Sequence, residues 1–341
     1  MKALKSYLTG IKEAVLQPKM ILTLWLINFL FASIVYFPIS GLLKDFIGSS
    51  AVSQTLLKDW DNHVFFEWLI HKASSLQPVL ILILIVMVLY ALVSLFLKGG
   101  ILSVFASRSG AAPRIQGSWT SRFFQGAGKY WWRFFRLFIY SLIFWAVFWV
   151  IMFLLSAAGR IISGGGIKEQ TFFIWFWVEA AIGLFLIFLI WMILDYARIR
   201  IVVEDTGKAF LSLLKGAGFV FSHFGRTLAL YYLLILTGAL LFLVFGKLAG
   251  LILPHTSGSI WLAFGIGQVF IASRQWLKMS FQAGQLDLYL NAREERKTPP
   301  PPVESERKEK EEEEEEEPRF EKPSDETWNI PLEEESEVKR E

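Results

Sequence analysis

A chain of 341 residues with 54% hydrophobic residues, 31 Phe and 14 Trp carries more apolar surface than a soluble core of that length hides. The absence of cysteine excludes disulfides, thiol nucleophiles and thiolate metal sites. The net charge of +3 conceals a division: residues 291 to 341 hold 10 of the 34 Lys and Arg and 20 of the 31 Asp and Glu, so the tail stands at −10 and the body at +13.

Residues 1 to 20 have Leu4, Leu8, Ile11 and Val15 at helical spacing with lysines on the other side, the pattern of an amphipathic helix lying in the headgroup layer. The apolar run that follows is too long for a signal peptide core of ~7 to 15 residues, and no small-x-small cleavage site follows near Phe37 and Pro38, so it is expected to be retained. Crossing ~30 Å of hydrocarbon takes about 20 mostly apolar residues. Six stretches approach or exceed that: Met20 to Leu43, Pro78 to Leu97, Phe134 to Ala158, Thr171 to Leu194, Leu228 to Ala249 and Ser259 to Leu277. Strand alternation is absent, and only helices close their own backbone hydrogen bonds in lipid, so each is expected to be helical.

Between the first two runs, Asp59, His63, Glu67 and His71 fall four apart beside Trp60, Val64 and Trp68. His63, Glu67 and His71 are the one metal-like spacing in the chain, suited to zinc or proton sensing. The wet face of an interfacial helix anchored by tryptophans accounts for the same steps, and no metal or other cofactor is expected.

After the second run come the breakers Gly110, Pro113 and Gly117, then SRFFQGAGKYWWRFFR, where aromatic and basic residues interleave. A helix leading directly into a span reads as a membrane-surface element, since cations near anionic lipid gain ~1 kcal/mol each; nucleic acid is not an expected partner. The same arrangement recurs. LKGGILSVFASRSG from Leu97 lies over LDYARIRIVVEDTG from Leu194, and FFQGAGKYWWRFFR ending at Arg136 lies over LLKGAGFVFSHFGR ending at Arg226. In both, the first Gly of GAG, Gly126 or Gly216, precedes an arginine by ten residues; small residues let a helix approach its neighbour closely. Gly10, nine residues before Lys19, hints at a degenerate third copy. Arg136, Arg198, Arg200 and Arg226 are the candidate contacts to lipid headgroups, although Arg198 and Arg200 stand near Glu204 and Asp205 and equally suit ion pairs.

The connections near Gly164 to Gly166 and Pro254 to Gly258 are short, which makes consecutive spans antiparallel neighbours. The expected fold is therefore all-α: six transmembrane helices as three parallel-repeat hairpins in residues 1 to 290, each introduced by an interfacial helix on the cytoplasmic side. With the N-terminus inside, cytoplasmic segments hold 18 basic residues and outer ones 6, so both termini are expected in the cytoplasm.

Polar residues within the runs are few. Glu179 and Gln268 come out at a similar depth, roughly 12 to 15 Å from the outer ends, and with Arg274 they are the candidates for an intramembrane functional group. A proton path and a plain interhelical hydrogen bond both fit them. Asn28, Lys247 and Asp195 are the other polar residues in or near the runs. No catalytic constellation emerges, as HExxH, GxSxG and Walker patterns are absent, and an enzyme is not expected. Residues 291 to 341 have the proline- and glutamate-rich composition of a disordered acidic tail, within which Trp328, Ile330 and Leu332 form an apolar island suited to docking a protein partner.

The stretch through Ala197 and Arg198, an Ile/Val run, Asp205, Gly207, and Gly216 to Phe221, with KEAVLQPKMILTLWLINFL near the start, resembles a broad group of bacterial six-span membrane proteins. That group includes the membrane domain joined to some glycerophosphodiester phosphodiesterases. The resemblance implies an inner-membrane location and no active site, because the phosphodiesterase activity of such proteins belongs to a separate soluble domain. The functional expectation is a non-enzymatic protein that organises lipid or recruits partners; the alternative is a transporter or lipid-handling permease using the midplane polar residues.

Overall fold

A computed structural model describes residues 2–48, 66, 70, 73–112, 117–162, 169–252 and 256–297. The chain divides into two units, Met1–Arg293 and Glu294–Glu341. Among the described residues every regular element is a helix: α1 (Lys2–Val15), α2 (Pro18–Gly48), α3 (Ala73–Arg108), α4 (Trp119–Ile162), α5 (Glu169–Val203), α6 (Ala209–Ser222), α7 (Phe224–Gly250) and α8 (Ser257–Lys297). Pro18 opens α2, where a missing N–H is harmless. Asp205, just past α5, takes a left-handed φ of 46°, a conformation Asp tolerates better than most side chains.

Five helices, α2, α3, α4, α5 and α7, are long and apolar enough to cross a membrane, as expected of an all-α polytopic membrane protein. The sixth run, Ser259 to Leu277, lies within α8 but falls short of that apolarity, because Gly265, Gly267, Gln268, Ser273 and Arg274 interrupt it. In α4 the lead-in segment and the apolar run form one unbroken helix of 44 residues. The segment from Ala209 breaks instead at His223, between α6 and α7.

Packing is concentrated at one end. Fully or nearly buried side chains include Ile101, Phe105, Phe123, Phe134, Leu137, Tyr196, Ile199, Leu213, Leu230, Met279 and Leu288. Toward the other end the helices present Leu84, Phe153, Trp177, Phe242 and Trp261 outward. A helix apolar all round, with its far half unpacked by protein, is suited to lipid contact.

At the packed end, α1, the first turns of α4, and α6 form a collar around the ends of α3, α5 and α8. Each lies against one of them through a glycine with no room for a side chain. A Cβ on Gly126 would strike Ser103 of α3, one on Gly216 would meet the backbone of Ile193 and Ala197 of α5, and one on Gly10 would strike the backbone of Ser280 and Gly284 of α8. The glycines thus set the distance at which each collar segment crosses its partner.

Candidate functional site

Each collar helix also reaches a second long helix one step further round. From α1, Glu13 accepts a hydrogen bond from Nε of Arg108 at the end of α3, 2.9 Å away. From α4, Lys129 and Arg133 donate to the two carboxylate oxygens of Asp205, after α5, at 2.8 and 2.6 Å. From α6, Phe219 packs against the ring of Tyr289 on α8, centroids 5.0 Å apart. Asp205 is half exposed; partial burial works to raise its pKa, but the hydrogen bonds and charges of Lys129 and Arg133 outweigh this and hold the carboxyl below its usual range. Tyr289 donates to Glu204 at 3.2 Å, and burial together with that carboxylate pushes its hydroxyl up to about 12.

Inside this collar lies the densest polar network among the described residues, centred on Asp195 of α5. One carboxylate oxygen accepts from Arg198 at 2.6 Å. The other accepts from the Tyr231 hydroxyl of α7 at 2.8 Å and faces the Gln285 amide of α8 at 3.3 Å. Gln285 also donates to the Tyr231 oxygen at 2.7 Å, closing a ring of three side chains from three helices. Arg198, Tyr231 and Gln285 are all buried, and the fully buried hydroxyl of neighbouring Tyr196 has no partner. Lys98 of α3 lies near enough for the charges of Asp195, Arg198 and Lys278 to act on it. Asp195 is therefore the acid of this network, ion-paired with Arg198 and close enough for its charge to act on Lys98 where water is scarce.

The sequence candidates fall elsewhere or take other roles. Glu179 accepts from the Ser156 hydroxyl of α4 at 3.0 Å, and Gln268 accepts from the indole of Trp25 of α2 at 3.1 Å, so each has its own partner on a different helix. Asn28 likewise accepts from Tyr90 at 2.6 Å. Arg274 is exposed on α8, within range of Tyr90. Of the four arginines considered for headgroups, Arg198 is only 9% exposed and turned onto Asp195, an internal partner instead of a surface clamp. Arg200 pairs with Glu204 at 2.7 Å. Arg136 and Arg226 are half-buried near the collar ends of α4 and α7. His63, Glu67 and His71, and Trp328, Ile330 and Leu332, lie outside the described residues; among those described, no group of three or more acids and histidines could hold a metal ion.

No protein family, curated protein or solved structure matches this chain. Sequence patterning does not single out Lys98, Tyr231 or Gln285, and it places Asp195 only near the end of a run. A signal existed: Leu97-Lys98, Leu194-Asp195 and Leu277-Lys278 are three similar pairs, each at the end of an apolar run.

Proposed function

We propose that the protein is a non-enzymatic organiser of the bacterial inner membrane. In this reading six helices form three related hairpins, α8 supplies the sixth span, and the collar and both termini face the cytoplasm. The basic collar engages anionic headgroups while the acidic tail recruits a protein partner. Kinship with the six-span group described above belongs to the same proposal. The observation that carries it is the fate of the polar residues within the spans: Glu179 is closed onto Ser156, Gln268 onto Trp25 and Asn28 onto Tyr90. A transport path needs polar groups that hand a charge from one to the next, and these are each satisfied locally.

A second reading, a transporter or lipid-handling permease, is favoured by the Asp195 network, in which one carboxylate is within reach of more than one cation. Two variants separate the readings. The organiser reading expects truncation after Lys297 to abolish partner recruitment in mild-detergent co-purification, with Glu179→Gln indistinguishable from the parent. The permease reading expects the reverse: a pH-dependent transport phenotype lost in Glu179→Gln while the truncated chain keeps it.

A further inference from the structure

A cavity of about 440 Å³, open to the outside, lies between α1, α3 and the first turns of α4. That volume lies within the usual ~300 to 1,000 Å³ of small-molecule sites. It sits where Glu13 meets Arg108, the junction that corresponds to the one made by Lys129, Arg133 and Asp205. Laying Leu97 over Leu194 sets Ser103 against Arg200, Ser107 against Glu204 and Arg108 against Asp205. In the second junction Arg200 and Glu204 form an ion pair at 2.7 Å, with Tyr289 bonded to the glutamate. In the first, two short hydroxyl side chains stand in their stead, and the space is open. The cavity is thus a local departure from a scheme that is filled elsewhere in the same chain.

Its walls have a definite chemistry. Arg122 is exposed on α4 and has no acid partner among the described residues. Arg108 commits its Nε to Glu13, so its two terminal nitrogens remain for another acceptor. The first turn of α4 adds the partial positive charge of a helix start. The opposite wall accepts: the carboxylate of Glu13 and the amide oxygen of Gln17 are acceptors lining the cavity beside Ser103 and Ser107. Trp119, stacked on Phe123 at 5.7 Å, supplies an apolar side. Among the described residues two guanidinium groups stand against one carboxylate, which calls for an anion, and the acceptors call for a donor on the same ligand.

We propose that this cavity binds a phosphate ester bearing a hydroxyl or ammonium substituent, with Arg122 and Arg108 on the phosphate and Glu13 on the substituent. A phospholipid headgroup and a free phosphate ester share that chemistry. The inference needs neither the organiser nor the permease reading.

The test uses the full chain in detergent micelles, titrated with dioctanoyl phosphatidylglycerol, glycerol 3-phosphate and, as the phosphate-free control, dioctanoylglycerol. At least one of the two phosphate esters is expected to bind saturably, and dioctanoylglycerol should not compete; the phospholipid alone identifies a headgroup site, glycerol 3-phosphate a soluble ligand. Arg122→Gln and Ser107→Glu, the latter restoring the acid of the second junction, should weaken binding about tenfold, the usual effect of losing a charge-assisted hydrogen bond. Lys5→Gln, which removes an equal charge from the exposed face of α1, should change it less than about twofold, as screened surface charges do. Arg122 is exposed, so its variant tests the site even where Ser107→Glu fails to fold. Binding of neither ester, an unaltered affinity in Arg122→Gln, or an equal loss in Lys5→Gln would each overturn the assignment.

Discussion

At the scale of single residues, the two glycines of each GAG element have opposite roles. Gly126 and Gly216 face a neighbouring helix with no room for a Cβ, whereas Gly128 and Gly218 have nothing within 4 Å. Gly126→Ala, Gly216→Ala and Gly10→Ala should each lower stability by about 1 to 3 kcal/mol, as overpacking does. Gly128→Ala and Gly218→Ala should be neutral or raise it by about 0.5 to 1 kcal/mol through helix propensity alone. Thermal unfolding in one detergent compares all five, and uniform losses would show that the close crossings do not discriminate. Asp195 permits a second contrast. Asp195→Asn leaves the buried Arg198 without its counter-charge and should cost about 3 to 5 kcal/mol. Tyr231→Phe removes one neutral donor and should cost about 1 to 2 kcal/mol. Replacing Arg198 by Gln in the Asp195→Asn background should recover part of the loss, because neither partner is then left buried alone.

At the scale of elements, the loop after α5 is tied to α4 by Asp205, and the tie has a pH signature. The folded carboxyl sits below its ordinary value, so its contribution is fully present above the unfolded pKa of about 4 and is lost as pH falls through the lower folded value. Unfolding midpoints of the parent and Asp205→Asn should differ by a constant amount from pH 6 to about pH 4 and converge below it. The pair is half exposed, so the gap should stay at or under about 1 kcal/mol and shrink in high salt. A gap unchanged down to pH 2 would assign Asp205 a role other than its charge. This junction also marks how far the sequence could be read. The GAG spacing disclosed that its helices approach a neighbour closely, and Gly10 is packed as tightly as Gly126 and Gly216. The partners across each junction were hidden, because Glu13 with Arg108 and Asp205 with Lys129 have opposite polarity, and Phe219 with Tyr289 has no charge at all. Matching positions that carry unlike chemistry leave no pattern in composition. The Asp195 network stayed hidden for a related reason: its members come from α5, α7 and α8, up to 90 residues apart.

At the scale of the whole molecule, burial is crowded into the collar while the far halves of the helices expose leucine, phenylalanine and tryptophan. Single cysteines at Lys215 on α6 and Ser257 at the start of α8 should react with impermeant reagents from opposite faces of a sealed vesicle; labelling of both from one face would defeat the arrangement of spans proposed here. The tight seat of Gly10 between Ser280 and Gly284 has a further consequence for how such a chain is made. Helix α1 rests on α8 and, through the Tyr7 and Thr237 hydroxyls 2.7 Å apart, on α7, both of which are synthesised long after it. Until those helices are made α1 lacks that seat, and its exposed Leu4 and Leu8 suit it to a bilayer surface meanwhile.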